Sequence, residues 1–286
     1  MRAAAGRSGH GEGRRIMSEG KSIVVTGAAG GIGRATCERL AKAGWRVLAT
    51  DHDAGKLAWA EGLAGITPLA IDVSSEDDNR RMASEAEARF GGLDAAVFNA
   101  GIGGGGSIDD LPFVQFQRVL GVNLVGPVLG IRAVLPLLRR NGGGAIAITS
   151  STMGVGGEAE NWAYSMTKHA LIGLVQSLSR EIGWEGIRIN ALCPGPTRTA
   201  IAGMEGQDGV AEADLPPHYH SLKRQVPLQR WADPDEMASV LEFLVSPASS
   251  YVNGHALVAD GGAVVGTGLT LPKTGAARTY PLDDKH

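Results

Sequence analysis

Thr-Gly-Ala-Ala-Gly-Gly-Ile-Gly, residues 26–33, connects the first predicted strand, 22–26, to the first predicted helix, 31–43. Glycines let the backbone of such a turn come close to a neighbouring group, because no side chain intervenes. The amino terminus of the helix that follows presents unpaired N–H groups and the positive end of the helix dipole. A glycine-rich turn also suits a plain strand-to-helix connection. Its place after the first strand of an alternating pattern predicts a site for the pyrophosphate of a dinucleotide.

Strand and helix patterns alternate along the rest of the chain. Further strands are predicted at residues 46–50, 68–71, 93–98, 145–149, 187–192 and 256–259. Further helices are predicted at 54–63, 76–90, 112–140, 161–184 and 235–245. This alternation implies a parallel sheet with helices on both faces and right-handed crossovers. In such an α/β protein, ligands bind at the carboxyl ends of the strands.

The composition is that of an ordinary globular protein. Of the 286 residues, 43% are hydrophobic and 20% are charged, which suits a single large α/β domain. The net charge is −3, and the body of the chain has no dense run of Lys or Arg. Nucleic acid and membrane are therefore not expected as partners. We also find no apolar stretch of the roughly 18 residues that a membrane span requires.

The cysteines indicate a reducing compartment. Cys37 falls in a predicted helix and Cys193 at the end of a predicted strand. Two such thiols form neither a disulfide framework nor a metal site. Residues 1–20 contain no apolar core of the kind that a secretory signal needs. We therefore expect a cytoplasmic protein.

Four segments are predicted from the patterning. Residues 1–20 form a disordered extension rich in Gly, Arg, Ala and Ser, and residues 21–262 form the folded domain. Within that domain, residues 199–226 show little periodicity and are interpreted as a lid over the substrate. Residues 263–286 form a tail punctuated by Gly and Pro.

Tyr164 and Lys168 form a Tyr-x-x-x-Lys pattern in the helix predicted at 161–184. Residues four apart share a helix face, so the phenol and the ammonium can lie side by side. A nearby positive charge favours the phenolate and predicts that the pKa of Tyr164 falls from about 10 toward neutrality. Ser151 lies thirteen residues before Tyr164, at the carboxyl end of the strand 145–149. The pair alone occurs by chance in many helices, so the catalytic interpretation depends on the other motifs.

Asp51 ends the second predicted strand and is the candidate for choosing between cofactors. A carboxylate at this place accepts hydrogen bonds from the adenosine ribose hydroxyls and repels a 2′-phosphate. The adjacent residues Thr50, His52 and Gly30 include no Arg or Lys. NAD is therefore predicted over NADP. A solvated helix cap is the simpler role for such an acid, and Asp53 competes for it.

Together these motifs resemble the short-chain dehydrogenase/reductase family, over residues 21–262. Order and spacing agree for the glycine turn, the strand-end motifs and the Ser, Tyr and Lys. The remaining matched motifs are Asp72-Val73, Asn99-Ala100-Gly101, Asn123, Pro194-Gly195 and Asp260-Gly261-Gly262.

The resemblance implies a single-domain, three-layer Rossmann-type fold with a doubly wound parallel sheet of about seven strands. It implies an NAD(H)-dependent oxidoreductase that interconverts a secondary alcohol and a ketone, and a homotetramer packed through the helices 112–140 and 161–184. Tyr164 would be the acid/base, Lys168 would lower its pKa and bind the nicotinamide ribose, and Ser151 would orient the substrate oxygen. The implied cofactor-binding residues are Gly27, Gly30, Gly31, Ile32, Gly33, Asp51, Asp72, Val73, Asn99, Ala100, Gly101, Tyr164, Lys168, Pro194, Gly195, Thr197 and Thr199.

Asn123 is implied as the fourth catalytic residue, because family members use its backbone carbonyl to hold a water in a proton relay to the lysine. Pro127, four residues later, has no N–H and cannot donate to that carbonyl. The sequence therefore predicts a carbonyl without its normal helical partner. A simple helix kink at the proline is the alternative interpretation.

Two other functions stay open. One is an NADP(H)-dependent ketone or 3-oxoacyl-thioester reductase of the same fold. The other is a non-enzymatic dinucleotide-binding sensor, although such proteins commonly lose the Tyr or the Lys. Enoyl reductases space these two residues more widely, so the four-residue spacing argues against that chemistry.

The substrate end is the least specified part of the sequence. Met153, Glu158, Trp162 and Pro196 are expected to line it together with the lid. His218 and His220 would share a face of an extended segment, but no further ligands are evident, and no metal is expected.

Overall fold

The strands of the computed structural model, which describes residues 20–204, 210 and 214–264, form a single parallel sheet. They are β1 Ser22–Thr26, β2 Arg46–Asp51, β3 Ile66–Ala70, β4 Ala95–Phe98, β5 Gly144–Thr149, β6 Ile187–Pro194 and β7 Ala256–Ala259. Their order is β3-β2-β1-β4-β5-β6-β7. The order reverses between β1 and β4, which opens a crevice at the carboxyl ends of these two strands. The predicted Rossmann-type fold is confirmed.

Helices cover both faces of the sheet. They are α1 Gly31–Lys42, α2 Glu76–Phe90, α3 Phe113–Leu120, α4 Gly126–Arg140, α5 Trp162–Ile182, α6 Pro217–Lys223 and α7 Pro234–Val245. Successive side chains of a strand point to opposite faces. Ile23 and Val25 of β1 accordingly pack with α1 and α7, while Val24 packs with α2, α4 and α5. Both faces of β1 are buried, which agrees with its run of β-branched residues from Ile23 to Thr26.

Most predicted elements have their expected bounds within a few residues, and two differ in kind. The helix predicted at 54–63 is a short 3-10 helix, Gly55–Ala60. Within the predicted lid, the chain forms the helix α6, which begins with a proline. Proline at a first helical turn costs no hydrogen bond, because that N–H has no helical partner. Residues 205–209 and 211–213 of the predicted lid, and nearly all of the predicted extension and tail, lie outside the described residues.

The predicted long helix is continuous but changes its winding. Between α3 and α4, residues Gly121–Val125 form a π-helical segment, in which the Gly126 N–H donates to the Gly121 carbonyl. Pro127 follows directly. Its ring would clash with a carbonyl four residues earlier and it has no N–H, so the wider turn accommodates it without breaking the helix. Asn123 is buried inside this segment.

The same helix is apolar over a long stretch. Among the described residues, Phe113–Arg140 is the one helix long and apolar enough to cross a membrane by length and composition alone. The expectation that no stretch reaches this length is therefore wrong. Ile131, Val134 and Leu138 of this helix are buried against the sheet. A helix that packs against the sheet of an α/β domain can therefore be as long and as apolar as a membrane-spanning helix.

Gly130 makes the packing of α4 on the sheet testable. A Cβ at Gly130 would lie 2.9 Å from Cδ1 and 3.0 Å from Cζ of the buried Phe98 ring. We expect Gly130→Ala to lower the free energy of unfolding by about 1–3 kcal/mol, since the core must shift to admit the methyl group. Urea denaturation measures this. Gly105→Ala is the control, because its Cβ would meet other atoms only from 3.7 Å. Equal stability of the two variants would contradict the packing described.

Candidate active site

A cavity of about 1000 Å³ opens at the carboxyl ends of the strands, beside the point where the strand order reverses. It gathers nearly all the residues predicted from the sequence. Those that line it are Gly27, Gly30, Gly31, Ile32, Asp51, Asp72, Val73, Asn99, Ala100, Gly101, Ser151, Tyr164, Lys168, Pro194, Gly195, Thr197 and Thr199. Gly33 and Asn123 are not among the lining residues.

The glycine turn has one side packed and one side open. A Cβ at Gly27 would lie 2.8 Å from the Ala100 Cα, and a Cβ at Gly33 would collide with the Gly27 carbonyl. Gly27 also has φ +69, which favours glycine. A Cβ at Gly30 would meet nothing within 4 Å, because it would project into the cavity. The turn therefore leaves room for a ligand against its backbone, as a dinucleotide pyrophosphate requires.

Helix α1 offers its amino terminus to this space. Its N-cap, Gly30, has no side chain to cap the helix, and the first turn carries no acidic residue. The first N–H groups of a helix lack helical acceptors. Together with the dipole they attract an anion. The turn and this helix end therefore fit the pyrophosphate of a dinucleotide such as NAD(P).

Asp51 is held at the end of β2 facing the cavity. Its Oδ2 accepts a hydrogen bond from the Ala29 N–H at 3.0 Å, and its Oδ1 lies 2.9 Å from Nδ1 of His52. Asp53 has a different role, since its Oδ1 accepts from the Lys56 N–H at 3.1 Å in the turn that follows. The structure therefore separates the two acids, and Asp51 is the one that lines the cavity.

The loop after β4 is bonded to the glycine turn through a residue that sequence reasoning missed. Thr26 Oγ1 accepts from the N–H groups of Asn99, at 3.0 Å, and Ala100, at 3.1 Å. The Thr149 hydroxyl donates to Asn99 Oδ1 at 3.0 Å. Asn99 thus ties β1, β4 and β5 together. In the sequence, the signal for this role is that Thr26 begins the glycine motif.

The catalytic candidates meet where β5 ends and α5 begins. Ser151 and Tyr164 form a side-chain hydrogen bond. The neighbouring Ser150 instead donates to the Lys168 carbonyl at 2.8 Å and is buried. Of these two serines, Ser151 is therefore the one whose hydroxyl meets the phenol.

Lys168 is buried and donates from Nζ to the Thr149 carbonyl at 2.8 Å. Its Nζ lies 5.3 Å from the centroid of the Tyr164 ring. Burial lowers the pKa of Lys168 to about 8, because the ammonium loses its hydration. Thr149 anchors this ammonium through its backbone, which no sequence motif signals.

The predicted fall in the pKa of Tyr164 is wrong for this structure. Burial raises the pKa of Tyr164 to about 12, and the hydrogen bond with Ser151 only partly opposes the rise. The Lys168 ammonium is bonded to Thr149 and lies over the tyrosine ring, so it does not bond the phenol oxygen. Desolvation of the phenol therefore determines the direction in which its pKa shifts.

Asn123 uses its side chain to hold the loop after β4. Its Oδ1 accepts from the Ile102 N–H at 2.8 Å, and its Nδ2 donates to the Ile102 carbonyl at 2.9 Å. A weaker bond at 3.4 Å reaches Thr167 on α5. A Cβ at Gly101 would lie 3.5 Å from both Asn123 Oδ1 and Lys168 Nζ, so the three residues are neighbours. The role of the Asn123 backbone carbonyl in a proton relay stays a prediction.

The remaining predicted cofactor residues lie in turns at the rim. Asp72 Oδ1 accepts from the Ser74 N–H at 2.8 Å, which shapes the turn after β3. Thr197 donates from Oγ1 to the Gly195 carbonyl at 2.9 Å, and Thr199 lies against Gly31. These contacts bring the loop after β6 up to the glycine turn.

At the substrate end the structure corrects two expectations. Met153, Glu158 and Pro196 line the cavity, but Trp162 does not, since its ring stacks on Phe116 with centroids 5.2 Å apart. His218 and His220 lie on the helix α6, where residues two apart do not share a face. Among the described residues, no group of three or more His, Cys, Asp or Glu side chains is placed to hold a metal.

Comparisons with known proteins agree with this geometry. A family model described as enoyl-(acyl carrier protein) reductase matches residues 27–264. The chain is 34% identical to 2,5-dichloro-2,5-cyclohexadiene-1,4-diol dehydrogenase of Sphingobium indicum over 85% of its own length and 96% of that protein. It resembles the crystal structure of levodione reductase at a TM-score of 0.77 and 31% identity, over 85% and 96% of the two chains. It also resembles 3-ketoacyl-(acyl-carrier-protein) reductase from Brucella melitensis complexed with NADH, at a TM-score of 0.78 and 29% identity, over 86% and 98%.

The buried lysine makes stability depend on pH in a defined direction. The pKa of Lys168 is about 8 in the folded protein against a usual value of 10.5, so between these values the unfolded chain binds more protons. Stability contributed by this group therefore rises with pH, by at most about 1.4 kcal/mol per unit. We expect the free energy of unfolding of the wild type minus that of Lys168→Met to increase from pH 8 to pH 10 in urea titrations.

Two features keep that measurement interpretable. Tyr164, with a folded pKa of about 12 against 10.0, contributes with the opposite sign and only above pH 10. Lys42→Met, at an exposed position, controls for the loss of a lysine in general. A difference that stays flat or falls with pH would show that Lys168 is not desolvated in the folded protein.

Proposed function

The chain belongs to the short-chain dehydrogenase/reductase family as an NAD(P)-dependent alcohol dehydrogenase or ketone reductase, and we propose that it works with NAD(H) and with Tyr164 as its acid/base. One observation carries the proposal. The Tyr164 phenol, bonded to Ser151, lies in the same cavity as the open side of the glycine turn and as Asp51. The candidate acid/base, the candidate donor to the substrate oxygen and the candidate dinucleotide-binding turn thus line the same cavity.

Tyr164 supplies the proton chemistry in this proposal. With a pKa of about 12 the phenol holds its proton at neutral pH, which is the acid form that ketone reduction needs. In that direction it gives the proton to the forming alkoxide, and in alcohol oxidation it takes the hydroxyl proton. Ser151 donates to the same oxygen and stabilises the charge that develops there.

The remaining residues position the cofactor, which supplies the hydride chemistry when bound. The glycine turn and the amino terminus of α1 would hold the pyrophosphate. Lys168, whose ammonium is fixed by the Thr149 carbonyl, would donate to the nicotinamide ribose. Asn123, through Ile102, keeps in place the loop after β4, which would hold the adenosine ribose.

The preference for NAD rests on the charge of Asp51. Its Oδ2 accepts from the Ala29 N–H, and its Oδ1 accepts from the Asp53 N–H and lies beside His52. These contacts hold the carboxylate beside the cavity. A 2′-phosphate there would meet a fixed negative charge. The NADH complex of the Brucella melitensis reductase supports this choice by similarity. His52 and Lys56 line the same end and keep the NADP(H)-dependent reductase as the second candidate.

The other functions considered are less well supported. A non-enzymatic sensor would not need Ser151, Tyr164 and Lys168 together. The enoyl reductase named by the family model is disfavoured by the four-residue spacing of Tyr164 and Lys168.

A homotetramer and a cytoplasmic location are part of the same proposal. Phe113 and Val114 on α3 and Met166 on α5 are large apolar side chains exposed on the single chain, which suits helix packing between subunits. Cys37 and Cys193 are free and buried, which suits a reducing compartment.

Replacement of the phenol tests the acid/base assignment. Tyr164→Phe should reduce turnover by at least about 10², the usual contribution of a general acid or base, and leave NADH affinity close to wild type. NAD(H)-linked absorbance measures turnover and fluorescence titration measures affinity. Tyr251→Phe, at a fully exposed tyrosine, is the matched control. Turnover near wild type in Tyr164→Phe would refute the assignment.

Neutralisation of Asp51 tests the cofactor preference. Asp51→Asn keeps an oxygen for the Ala29 N–H but removes the charge. The ratio of kcat/KM with NAD to that with NADP should therefore fall by at least about tenfold, equivalent to ~1.4 kcal/mol. Asp53→Asn removes a neighbouring carboxylate that does not line the cavity and should keep the wild-type ratio. A wild type that prefers NADP would overturn the choice of NAD.

A further inference from the structure

The amide of Asn161 stands at the start of α5 without the role that its position normally has. Asn161 is the N-cap of α5, where an Asn side chain usually accepts from an N–H of the first turn. Here its side chain makes no capping hydrogen bond. It forms no other hydrogen bond with the described residues either. It lines the cavity instead.

Asn161 lies beside the reacting group. It is the N-cap of α5, and Tyr164 is the third residue of that helix, whose backbone N–H an N-cap side chain can reach. Both residues line the same cavity. An amide so close to Tyr164 can reach a substituent on a carbon next to the one whose oxygen contacts Tyr164.

The loop after β4 leaves this amide uncovered. Residues 103–106 are four consecutive glycines. A Cβ at Gly105 would lie 3.7 Å from Asn161 Oδ1, and a Cβ at Gly103 would meet nothing within 4 Å. The Gly106 N–H donates to the Glu160 carbonyl at 2.6 Å, which fixes the loop beside the start of α5. No side chain of residues 103–106 therefore stands between a polar ligand group and the amide.

The charges around the cavity restrict the ligand. Glu158, exposed and three residues before Asn161, lines the same end and forms no side-chain hydrogen bond or ion pair with the described residues. Lys168 also lines the cavity beside Tyr164, but its ammonium already donates to the Thr149 carbonyl. Of the other basic lining residues, Lys56 follows β2 close to Asp51, and Arg118 is on α3, whose Val119 lies against Gly104. Beside Asn161, the cavity thus offers an amide and a carboxylate to a ligand.

We propose that the substrate is a neutral alcohol with a second hydroxyl next to the reacting carbon, a vicinal diol or polyol, and that Asn161 positions it through that hydroxyl. An uncharged hydroxyl can both donate to Asn161 or Glu158 and accept from the Asn161 amide. A carboxylate or phosphate would meet the negative charge of Glu158 there. This inference rests on the proposed function.

The reaction balances with one hydroxyl left intact. The reacting carbon loses a hydride, with its electron pair, to NAD⁺, and its hydroxyl loses a proton to Tyr164. A C=O bond replaces the C–OH, and the product is an α-hydroxy ketone. The second hydroxyl stays on Asn161 throughout and changes neither its bonds nor its oxidation state.

Two probe alcohols that differ by one hydroxyl test the proposal. The full-length enzyme is assayed with NAD⁺ on cyclohexanol and on cis-1,2-cyclohexanediol. We expect the wild-type kcat/KM for the diol to exceed that for cyclohexanol by about tenfold. In Asn161→Ala this ratio should fall by about three- to tenfold, the worth of one hydrogen bond. A purely structural role for Asn161 would lower both values and leave the ratio unchanged.

Controls separate this inference from the proposed function. Glu158→Gln should lower the ratio, and Glu160→Gln, at a neighbouring carboxylate that does not line the cavity, should keep it. Failure to oxidise the diol, equal kcat/KM on the two alcohols, or an unchanged ratio in Asn161→Ala each overturns the inference. If Tyr164→Phe still abolishes turnover in those cases, the acid/base assignment survives. If Tyr164→Phe retains turnover, the proposed function itself fails.

Discussion

A single threonine hydroxyl joins the two strands between which the crevice opens. Thr26 Oγ1 accepts the N–H groups of Asn99 and Ala100, two backbone donors that would otherwise face the narrow gap between β1 and β4. The bonds draw the loop after β4 onto the glycine turn, and Gly27 has no Cβ to prevent that approach. The strand order reverses at this place, so the floor of the cavity depends on this contact.

The same loop is held from its other side by Asn123. Its amide forms two hydrogen bonds with the backbone of Ile102 from within a π-helical segment. The segment exists because Pro127 cannot take part in regular α-helical bonding. A proline in a long helix thereby determines the position of Asn123, which supports the loop after β4. Local helix geometry and the shape of the site are linked at this point.

Burial governs the chemistry of the pair on α5. The Lys168 ammonium donates to the Thr149 carbonyl, and burial lowers its pKa to about 8. The Tyr164 phenol is desolvated as well, and its pKa rises to about 12. The two shifts have opposite directions because burial disfavours the charged form of each group. The site thus holds a neutral phenol beside a lysine that titrates close to physiological pH.

Motifs with a strict local geometry could be predicted from the sequence, and features made by distant contacts could not. The strand alternation, the glycine turn and the spacing of Ser151 and Tyr164 are local, because strand period, turn sterics and helix pitch determine them. Trp162 was placed wrongly in the substrate pocket, since nothing local shows that its ring stacks on Phe116. The helix α6 was missed because the packing of Tyr219 on Trp231, which lies outside the helix, outweighs its weak periodicity.

By itself the sequence determined the family and the fold class and singled out the candidate proton-handling residues, because each of these follows from residue types at fixed short spacings. The tertiary structure decided which groups those residues contact. In the folded protein Lys168 donates to the Thr149 carbonyl, and the Asn123 amide forms hydrogen bonds with Ile102. Asn161 lines the cavity. The tertiary structure also reversed the expected direction of the pKa of Tyr164. Burial and the partner of a charge are properties of the packed molecule, and no spacing along the chain contains them.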